Sequence, residues 1–172
     1  FSFNYSRISP DLIVLGKGLS SSTPLSAVIA KGDLLKRWTP GAHTSTFQGN
    51  PISCAAACAT LKEIKNSSLV EHVNKSIEPC FYNLSERLKN NEKVNAVRFV
   101  GAQCAIELDN SKTANLVQNI ALHQAKMLTY GGGRNGECVL ILPPLNISKV
   151  LLEKALKALT EIITEELPRR SF

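Results

Sequence analysis

The chain places a lysine between two glycines, directly after an apolar run, in the segment DLIVLGKG (residues 11–18). Residues 12–15 are aliphatic and are followed by glycine, a pattern that predicts a short buried strand and then a turn. Lys17 at the end of a buried strand would lose water, which disfavours its charged form and makes its amine nucleophilic. The flanking glycines, Gly16 and Gly18, allow a bulky group to approach the backbone closely.

Two interpretations of Lys17 follow from these residues alone. A covalently held aldehyde cofactor fits the nucleophilic amine, the strand end and the two glycines together. A lysine beside glycine in a turn is also commonly a solvated surface residue, because lysines are rarely buried. The rest of the chain is needed to choose between these two interpretations.

The composition is that of a globular protein, with 44% hydrophobic and 20% charged residues in a chain of 172. The formal charge of +6 comes from basic residues that are scattered among acidic ones, and aromatic residues are few. No stripe suits a phosphate backbone or stacked bases, so no nucleic-acid partner is expected. No apolar stretch approaches the length of a membrane span, so no membrane partner is expected. A mild positive charge suits an anionic substrate or cofactor.

The five cysteines are odd in number and follow no metal-ligand spacing. This usage fits a reducing, cytoplasmic compartment better than a disulfide framework. Cys54 and Cys58 lie in an alanine-rich segment and are expected to pack as small apolar residues. No His, Cys or Asp spacing indicates a metal site.

The pattern of the chain predicts strands that alternate with helices, which indicates α/β layers. The expected strands are residues 12–15, 25–30, 94–100, 105–108 and 139–142. The expected helices are residues 31–38, 51–65, 68–90, 113–128 and one that follows a cap at Ser148. Asn50 and Pro51 form a helix start, and Pro79 predicts a kink. A polar break near residues 66–69 predicts a domain boundary.

Three segments, in order, resemble the class III aminotransferases, enzymes that use pyridoxal phosphate. They are PDLIVLGKGLSSSTPLSAVIA (residues 10–30), PGAHTSTFQGNPISCAAACATL (40–61), and the pair VRFVGAQCAIEL (97–108) and LILPPLNIS (140–148). The resemblance spans essentially the whole chain and implies an α/β fold, that of the fold-type I transferases. It implies that residues 1–67 are the end of the large cofactor domain and that residues 68–172 are the small C-terminal domain.

The resemblance also implies roles for single residues. Lys17 is implied as the lysine that forms the Schiff base with the cofactor, and Thr46 as a donor to its phosphate across the interface of a homodimer. Ser45 is implied to line the same pocket. A hydroxyl beside a helix start with free N–H groups is a fair anion site, although a turn or capping hydroxyl is the simpler interpretation of Thr46 without the resemblance. The chain begins abruptly at Phe1, is expected to be the later part of such an enzyme, and is expected to be inactive alone.

The substrate is less well determined by these residues. Many class III enzymes carry an arginine that binds a substrate carboxylate at the position of Leu140, and leucine cannot form that bidentate pair. Arg134, in the segment GGGRNG (residues 131–136), is a candidate replacement, and a solvated loop cation is the alternative. Arg98 is expected to be structural. The glycine-rich stretch and PGAHTSTF (residues 40–47) are similar to the diaminobutyrate–2-oxoglutarate branch of the family.

Three functions remain open at this point. The first is an aminotransferase that moves an amino group from a diamino or ω-amino acid to 2-oxoglutarate. The second is a racemase or epimerase on the same scaffold, which the serine-rich stretch after Lys17 loosely resembles. The third is a non-catalytic fragment or paralogue, to which Leu140 gives some weight.

Overall fold

A computed structural model describes residues 1–4 and 6–167, and the chain divides into two units, Phe1–Ser67 and a second unit that begins at Ser68. The first unit contains a two-stranded sheet and one long helix, and the second contains a four-stranded sheet and further helices. All strand pairs are antiparallel. The mixed α/β composition that the sequence pattern predicts is confirmed.

The strand expected before Lys17 forms at Leu12–Leu15 (β1) and pairs with Ala27–Ala30 (β2). The second strand therefore starts later than residue 25, where the apolar pattern begins. The helix expected over residues 31–38 is reduced to a 3₁₀ turn at Leu34–Arg37.

One face of β1 is exposed and the other is half-buried, although its aliphatic run predicts burial. Leu12 is 54% exposed and Val14 is 76% exposed. The two side chains lie on the same face because side chains alternate along a strand, and the described chain adds no layer over that face of the two-stranded sheet. The prediction of the strand is confirmed, and the prediction of its burial is wrong for the described residues.

The helix start expected at Asn50 is present, and the helix (α1) runs over Pro51–Asn66. The Asn50 side chain accepts hydrogen bonds from the backbone N–H groups of Ile52 (3.0 Å) and Ser53 (3.1 Å). Pro51 has no N–H, and its fixed φ suits the first helical position. An asparagine cap of this kind stabilises a helix by about 1 kcal/mol.

A long helical stretch opens the second unit. Its parts are Leu69–His72 (α2), a π-helical turn at Val73–Ile77, and Glu78–Leu88 (α3). In the π turn the Glu78 N–H bonds to the Val73 carbonyl, one residue further back than in an α-helix. Pro79 follows and has no N–H with which to continue the α-helical ladder. The irregularity expected at Pro79 therefore takes the form of a widened turn directly before it.

The sheet of the second unit has four strands. One further helix lies between the second and third of these strands in chain order, and another follows the last strand. Its spatial order is Val94–Val100 (β3), Gln103–Leu108 (β4), Cys138–Ile141 (β6) and Tyr130–Gly132 (β5). The helices are Ser111–His123 (α4) and Lys149–Glu161 (α5), and a π turn at Ile162–Glu166 extends α5. The sequence pattern missed β5, because two of its three residues are glycines, which are depleted in strands. It also extended α4 too far, to residue 128.

The core of the second unit lies between one face of the sheet and α3, α4 and α5. Alternate residues of β4 (Cys104, Ile106 and Leu108) are buried in it. The last helix contributes the apolar face that its spacing predicts, and all four residues are buried: Leu152, Leu156, Leu159 and Ile163. The Ser148 side chain caps this helix as expected, accepting from the Leu151 N–H at 3.3 Å.

The cysteines are free thiols. Cys80, Cys104 and Cys138 are buried in the second unit, and burial raises the pKa of the Cys104 thiol to about 12. Cys54 is half-buried on α1, whereas Cys58 is exposed. The expectation that Cys58 packs as an apolar residue is therefore wrong.

We expect truncation of Phe81 to test the core of the second unit. Phe81 is fully buried, and its ring centre lies 6.4 Å from that of Phe99. Phe81→Ala should lower the free energy of unfolding by about 3–5 kcal/mol, because it leaves a cavity. The neighbouring Tyr82 is 58% exposed, so Tyr82→Ala should cost no more than about 0.5 kcal/mol. Denaturant unfolding of both variants measures the difference, and equal losses would contradict this core.

Candidate active site

Lys17 follows β1 and begins a 3₁₀ turn at Lys17–Leu19. The turn is closed by a hydrogen bond from the Leu19 N–H to the Gly16 carbonyl, 3.0 Å long. The predicted position of the lysine at a strand end is thus observed. Its side chain is exposed, so the described residues do not provide the desolvation that the aliphatic run predicts.

The backbone of Lys17 adopts the left-handed conformation, with φ of 49°. This region costs a residue with a side chain about 1–2 kcal/mol, whereas glycine occupies it freely. The glycines at 16 and 18 are not among the residues with positive φ. The strained position therefore belongs to the lysine rather than to its neighbours, and such strain tends to cluster at functional sites.

The segment after Lys17 is joined to α1 by one side-chain hydrogen bond. The Ser20 side chain is buried, and its hydroxyl donates to the Thr23 carbonyl. The Ser21 and Thr60 hydroxyl oxygens lie 2.9 Å apart. Thr60 in turn donates to the Ala56 carbonyl at 3.0 Å. This chain of contacts fixes the turn that carries the lysine to the helix behind it.

The surroundings of the two glycines are open. A Cβ built on Gly18 would meet nothing within 4 Å, and one on Gly16 would make only ordinary contacts, the nearest at 3.8 Å to Ser26 Cβ. The space expected beside the lysine is therefore present. The described chain does not itself require glycine at position 18.

Ser45 and Thr46 lie in the exposed loop that precedes α1. The Gln48 N–H bonds to the Ser45 carbonyl at 3.0 Å, so Thr46 occupies the second position of a tight turn. A second turn follows, in which the Asn50 N–H bonds to the Phe47 carbonyl at 3.2 Å. No hydrogen bond among the described residues joins the Lys17 side chain to Ser45 or Thr46.

The start of α1 does not offer the free N–H groups expected for an anion site. Asn50 occupies the N–H groups of Ile52 and Ser53, and Pro51 has none. The Cys54 N–H bonds to the Asn50 carbonyl at 2.9 Å. The first turn of α1 therefore offers no free N–H group, and an anion site here would depend on the loop that precedes the helix.

Arg134 lies in the loop between β5 and β6 of the second unit, and its side chain is exposed. The Glu137 carboxylate stiffens this loop by accepting from the Asn135 N–H at 2.7 Å. Hydrogen bonds from its own backbone N–H and from that of Asn135 hold the pKa of Glu137 below its usual value. Gly133 has φ of 86°, and a Cβ there would lie 2.7 Å from Glu137 Cδ, so glycine is required at that position.

Leu140 lies in β6, opposite Ala105 of β4 and Tyr130 of β5. It is half-buried and covers Gly132, where a Cβ would lie 2.8 Å from Leu140 Cδ1. Arg98 lies inside β3, and its Nη1 atom is 2.6 Å from Glu107 Oε2. The sequence pattern gave no signal for Glu107 or Glu137, because their partners are distant in sequence or belong to the backbone.

Residues 1–4 and 6–167 contain no group of three or more His, Cys, Asp or Glu side chains that could hold a metal ion. No helix in that part of the chain is long and apolar enough to cross a membrane.

Comparison of the sequence with protein families gives a match to "Aminotransferase class-III" over residues 1–163. The chain is 33% identical to the acetylornithine aminotransferase of Oceanobacillus iheyensis, over 96% of this chain and 40% of that protein. It is 36% identical to the ornithine aminotransferase of Plasmodium falciparum, over 92% of this chain and 37% of that protein. It is 33% identical to the 4-aminobutyrate aminotransferase of Mycobacterium leprae, over 95% of this chain and 38% of that protein.

Solved structures give the same result. The ornithine aminotransferase of Toxoplasma gondii superposes with a TM-score of 0.88 at 26% identity, over 99% of this chain and 40% of that one. The acetylornithine aminotransferase of Elizabethkingia anophelis gives a TM-score of 0.81 at 29% identity, over 96% of this chain and 43% of that one. A further structure of the Toxoplasma gondii enzyme has partial occupancy of pyridoxal phosphate at its active site. The chain spans about two-fifths of the length of these relatives.

We expect the strain at position 17 to be measurable as stability. Lys17→Gly and Lys17→Ala both remove the amine, but only alanine retains a Cβ in the left-handed region. The glycine variant should therefore be the more stable of the two by about 1 kcal/mol. Denaturant unfolding of the two proteins measures this difference. An alanine variant as stable as the glycine variant would show that the backbone there is unstrained.

Proposed function

Because this chain belongs to the class III aminotransferases, we propose that the full-length protein transfers an amino group from a diamino or ω-amino acid, of the diaminobutyrate kind, to 2-oxoglutarate. Pyridoxal phosphate is the cofactor of this family, and we place it on Lys17. The observation that carries the proposal is the exposed amine of Lys17, which a strained turn presents at the end of β1 beside open space.

The residues near Lys17 fit the aldehyde end of pyridoxal phosphate. The amine is accessible, and Gly18 leaves room for a flat ring to approach the backbone. The bound cofactor supplies an electron sink for the carbon next to the nitrogen. Lys17 Nζ would hold the cofactor between turnovers. Once displaced by the amino donor, Lys17 Nζ would remove the proton from the donor carbon. It would return that proton to the cofactor carbon, on the other side of the transferred amino nitrogen.

Thr46 and Ser45 support the proposed phosphate contact through their hydroxyls and the loop that carries them, because the N–H groups at the start of α1 are already used. Both are exposed, and the Thr46 hydroxyl has no hydrogen-bond partner among the described residues. We place Thr46 of one protomer on the cofactor that its partner holds, which makes the enzyme a homodimer. The absence of a bond between Thr46 and Lys17 within one chain is compatible with this arrangement.

Arg134 is the proposed site for a substrate carboxylate. Its guanidinium is exposed, forms no ion pair with the described residues, and is carried on a loop that Glu137 stiffens. Arginine binds carboxylates in a planar, bidentate manner. Leu140 is uncharged, whereas many class III enzymes carry an arginine at this position.

The same proposal includes a division into two domains and a cytoplasmic location. We assign residues 1–67 to the end of the large cofactor domain and residues 68–172 to the small C-terminal domain, in agreement with the two units of the structure. The five free cysteines are typical of a cytoplasmic protein.

Replacement of Lys17 tests the proposed chemistry. In the full-length protein, Lys17→Ala should lower glutamate formation from 2-oxoglutarate by at least about 10³-fold, because both the attachment point and the proton carrier are lost. The visible absorption of the bound cofactor should change as well. Lys36→Ala is the matched control, since Lys36 is an exposed lysine of the same unit whose ion-pair partner is the exposed Asp33. Full turnover with an unchanged spectrum would refute the assignment, and racemisation by the unmutated protein without glutamate would favour the racemase.

Replacement of Arg134 tests substrate recognition. Arg134→Gln should raise the KM for 2-oxoglutarate about 10–100-fold with little change in kcat, because a charge-assisted pair is lost in ground and transition states alike. Arg87→Gln is the control, because Arg87 is an exposed arginine on α3. Steady-state kinetics with both variants measure the effect, and an unchanged KM would identify Arg134 as a solvated loop cation.

A further inference from the structure

A cleft with a volume of about 400 Å³ lies between α3 and α5, which pack side by side in the second unit. This volume falls within the range of small-molecule sites, about 300–1,000 Å³. Three buried side chains form the floor of this α3–α5 cleft: Cys80, Leu84 and Leu156. Five exposed side chains form its rim: Asn83, Arg87, Glu153, Lys154 and Lys157.

The rim is the reason to expect this cleft to stay open in the full-length protein. All five of its side chains are polar, and four of them are charged. Charged residues are depleted where one protein surface packs on another, whereas they are ordinary at a surface in contact with water. The rim therefore differs from the aliphatic face of β1, where Leu12 and Val14 are exposed.

The charges of the rim are mostly positive. It carries three cations and one anion, a formal charge of +2. Arg87 and Lys154 form no ion pair with the described residues, and Lys157 has one such contact, of 3.7 Å, with an exposed glutamate one turn further along α5. Glu153 is already paired with Lys149, which lies 3.8 Å away and does not line the cleft. The positive charge is thus largely uncompensated and attracts an anion.

The floor of the cleft is apolar and uncharged. Leu84 and Leu156 are 2% and 3% exposed. The Cys80 thiol donates to the Ser76 carbonyl at 3.0 Å. Burial raises the pKa of this thiol, and the charge of Glu153 raises it further, so the thiol stays neutral at physiological pH. The floor therefore favours an organic group rather than a second charge.

Charge and size together select the ligand. A phosphate monoester carries a charge of about −1.5 to −2 at pH 7, which matches the formal +2 of the rim, whereas a simple carboxylate carries only one negative charge. A water molecule occupies about 30 Å³ of liquid, so the cleft has room for roughly a dozen groups of that size, more than a phosphoryl group alone fills. We propose that the α3–α5 cleft binds a small, soluble phosphate monoester. Its phosphoryl group lies among Arg87, Lys154 and Lys157, and its organic part lies over Leu84 and Leu156.

This site uses residues of the second unit alone and shares none with the proposed catalytic machinery. The probe is phenyl phosphate, titrated calorimetrically into the full-length protein with its cofactor bound. We expect a dissociation constant of about 1 mM. Phenyl sulfate has the same shape with one negative charge fewer, and inorganic phosphate lacks the organic part, so each should bind at least about threefold more weakly.

Four variants assign the binding to the cleft. Lys154→Gln and Lys157→Gln should each weaken the binding of phenyl phosphate about three- to tenfold, because each removes a charge-assisted contact. Glu153→Gln should instead strengthen it about two- to fivefold, because it removes the one repelling charge of the rim. Lys112→Gln, at an exposed position on α4, is the matched control and should change the constant by less than about twofold. Circular dichroism checks that each variant is folded.

A second measurement separates a soluble ester from a lipid headgroup, since both carry a phosphoryl group. Vesicles that contain phosphatidic acid should sediment no more protein than vesicles matched in charge with phosphatidylserine, because the rim has no apolar side chain to enter the bilayer. A preference for phosphatidic acid that Lys154→Gln removes would contradict the proposal of a soluble ligand.

Three results of the titration would overturn the inference. The first is no binding up to about 50-fold above the expected constant, or binding that neither the lysine variants nor Glu153→Gln alters. The second is equal binding of phenyl sulfate or of inorganic phosphate, which would show that the cleft does not select a phosphate monoester. The third is binding that Arg134→Gln abolishes and the lysine variants leave intact. That result would place the ester at the proposed carboxylate site and reject the cleft, while the proposed function would stand.

Discussion

The backbone conformation of Lys17 is the constraint on which the candidate site depends. Its φ of 49° places a residue with a side chain in the left-handed region, which glycine adopts without strain, although the glycines lie on either side of it. The turn is closed by the Gly16 carbonyl and is fastened to α1 through Ser21 and Thr60. The amine therefore projects from a fixed point. A covalent attachment needs a group held in place by its supporting shell, and here that shell comes from the same unit as the lysine.

In the proposed function, the second unit contributes recognition of the substrate rather than attachment of the cofactor. Leu140 fills the space over Gly132, so the middle of β6 presents an aliphatic group instead of a charge. Glu137 folds back on the hairpin loop and fixes the backbone that carries Arg134. The charge that we propose for a carboxylate substrate, that of Arg134, thus lies on a stiff loop beyond the strand.

The features that the sequence predicts well are local ones. The caps at Asn50 and Ser148 and the apolar face of α5 depend on residues three or four apart, and the structure confirms them. The features it misses depend on partners elsewhere. β5 is a strand only because β6 pairs with it, and the exposure of β1 depends on what covers the sheet rather than on the aliphatic run itself. The strain at Lys17 has no sequence signal, since the adjacent glycines are the residues that a positive φ would normally select.

The central claim is that a cofactor aldehyde is bound to the amine at position 17. Reduction of the full-length protein with borohydride in the presence of pyridoxal phosphate converts such an attachment into a stable bond, and peptide mass spectrometry then locates it. We predict a single phosphopyridoxyl group on the peptide that contains Lys17, which is lost when an amino donor is added before reduction. A label spread over several exposed lysines, or one confined to another lysine, would contradict it.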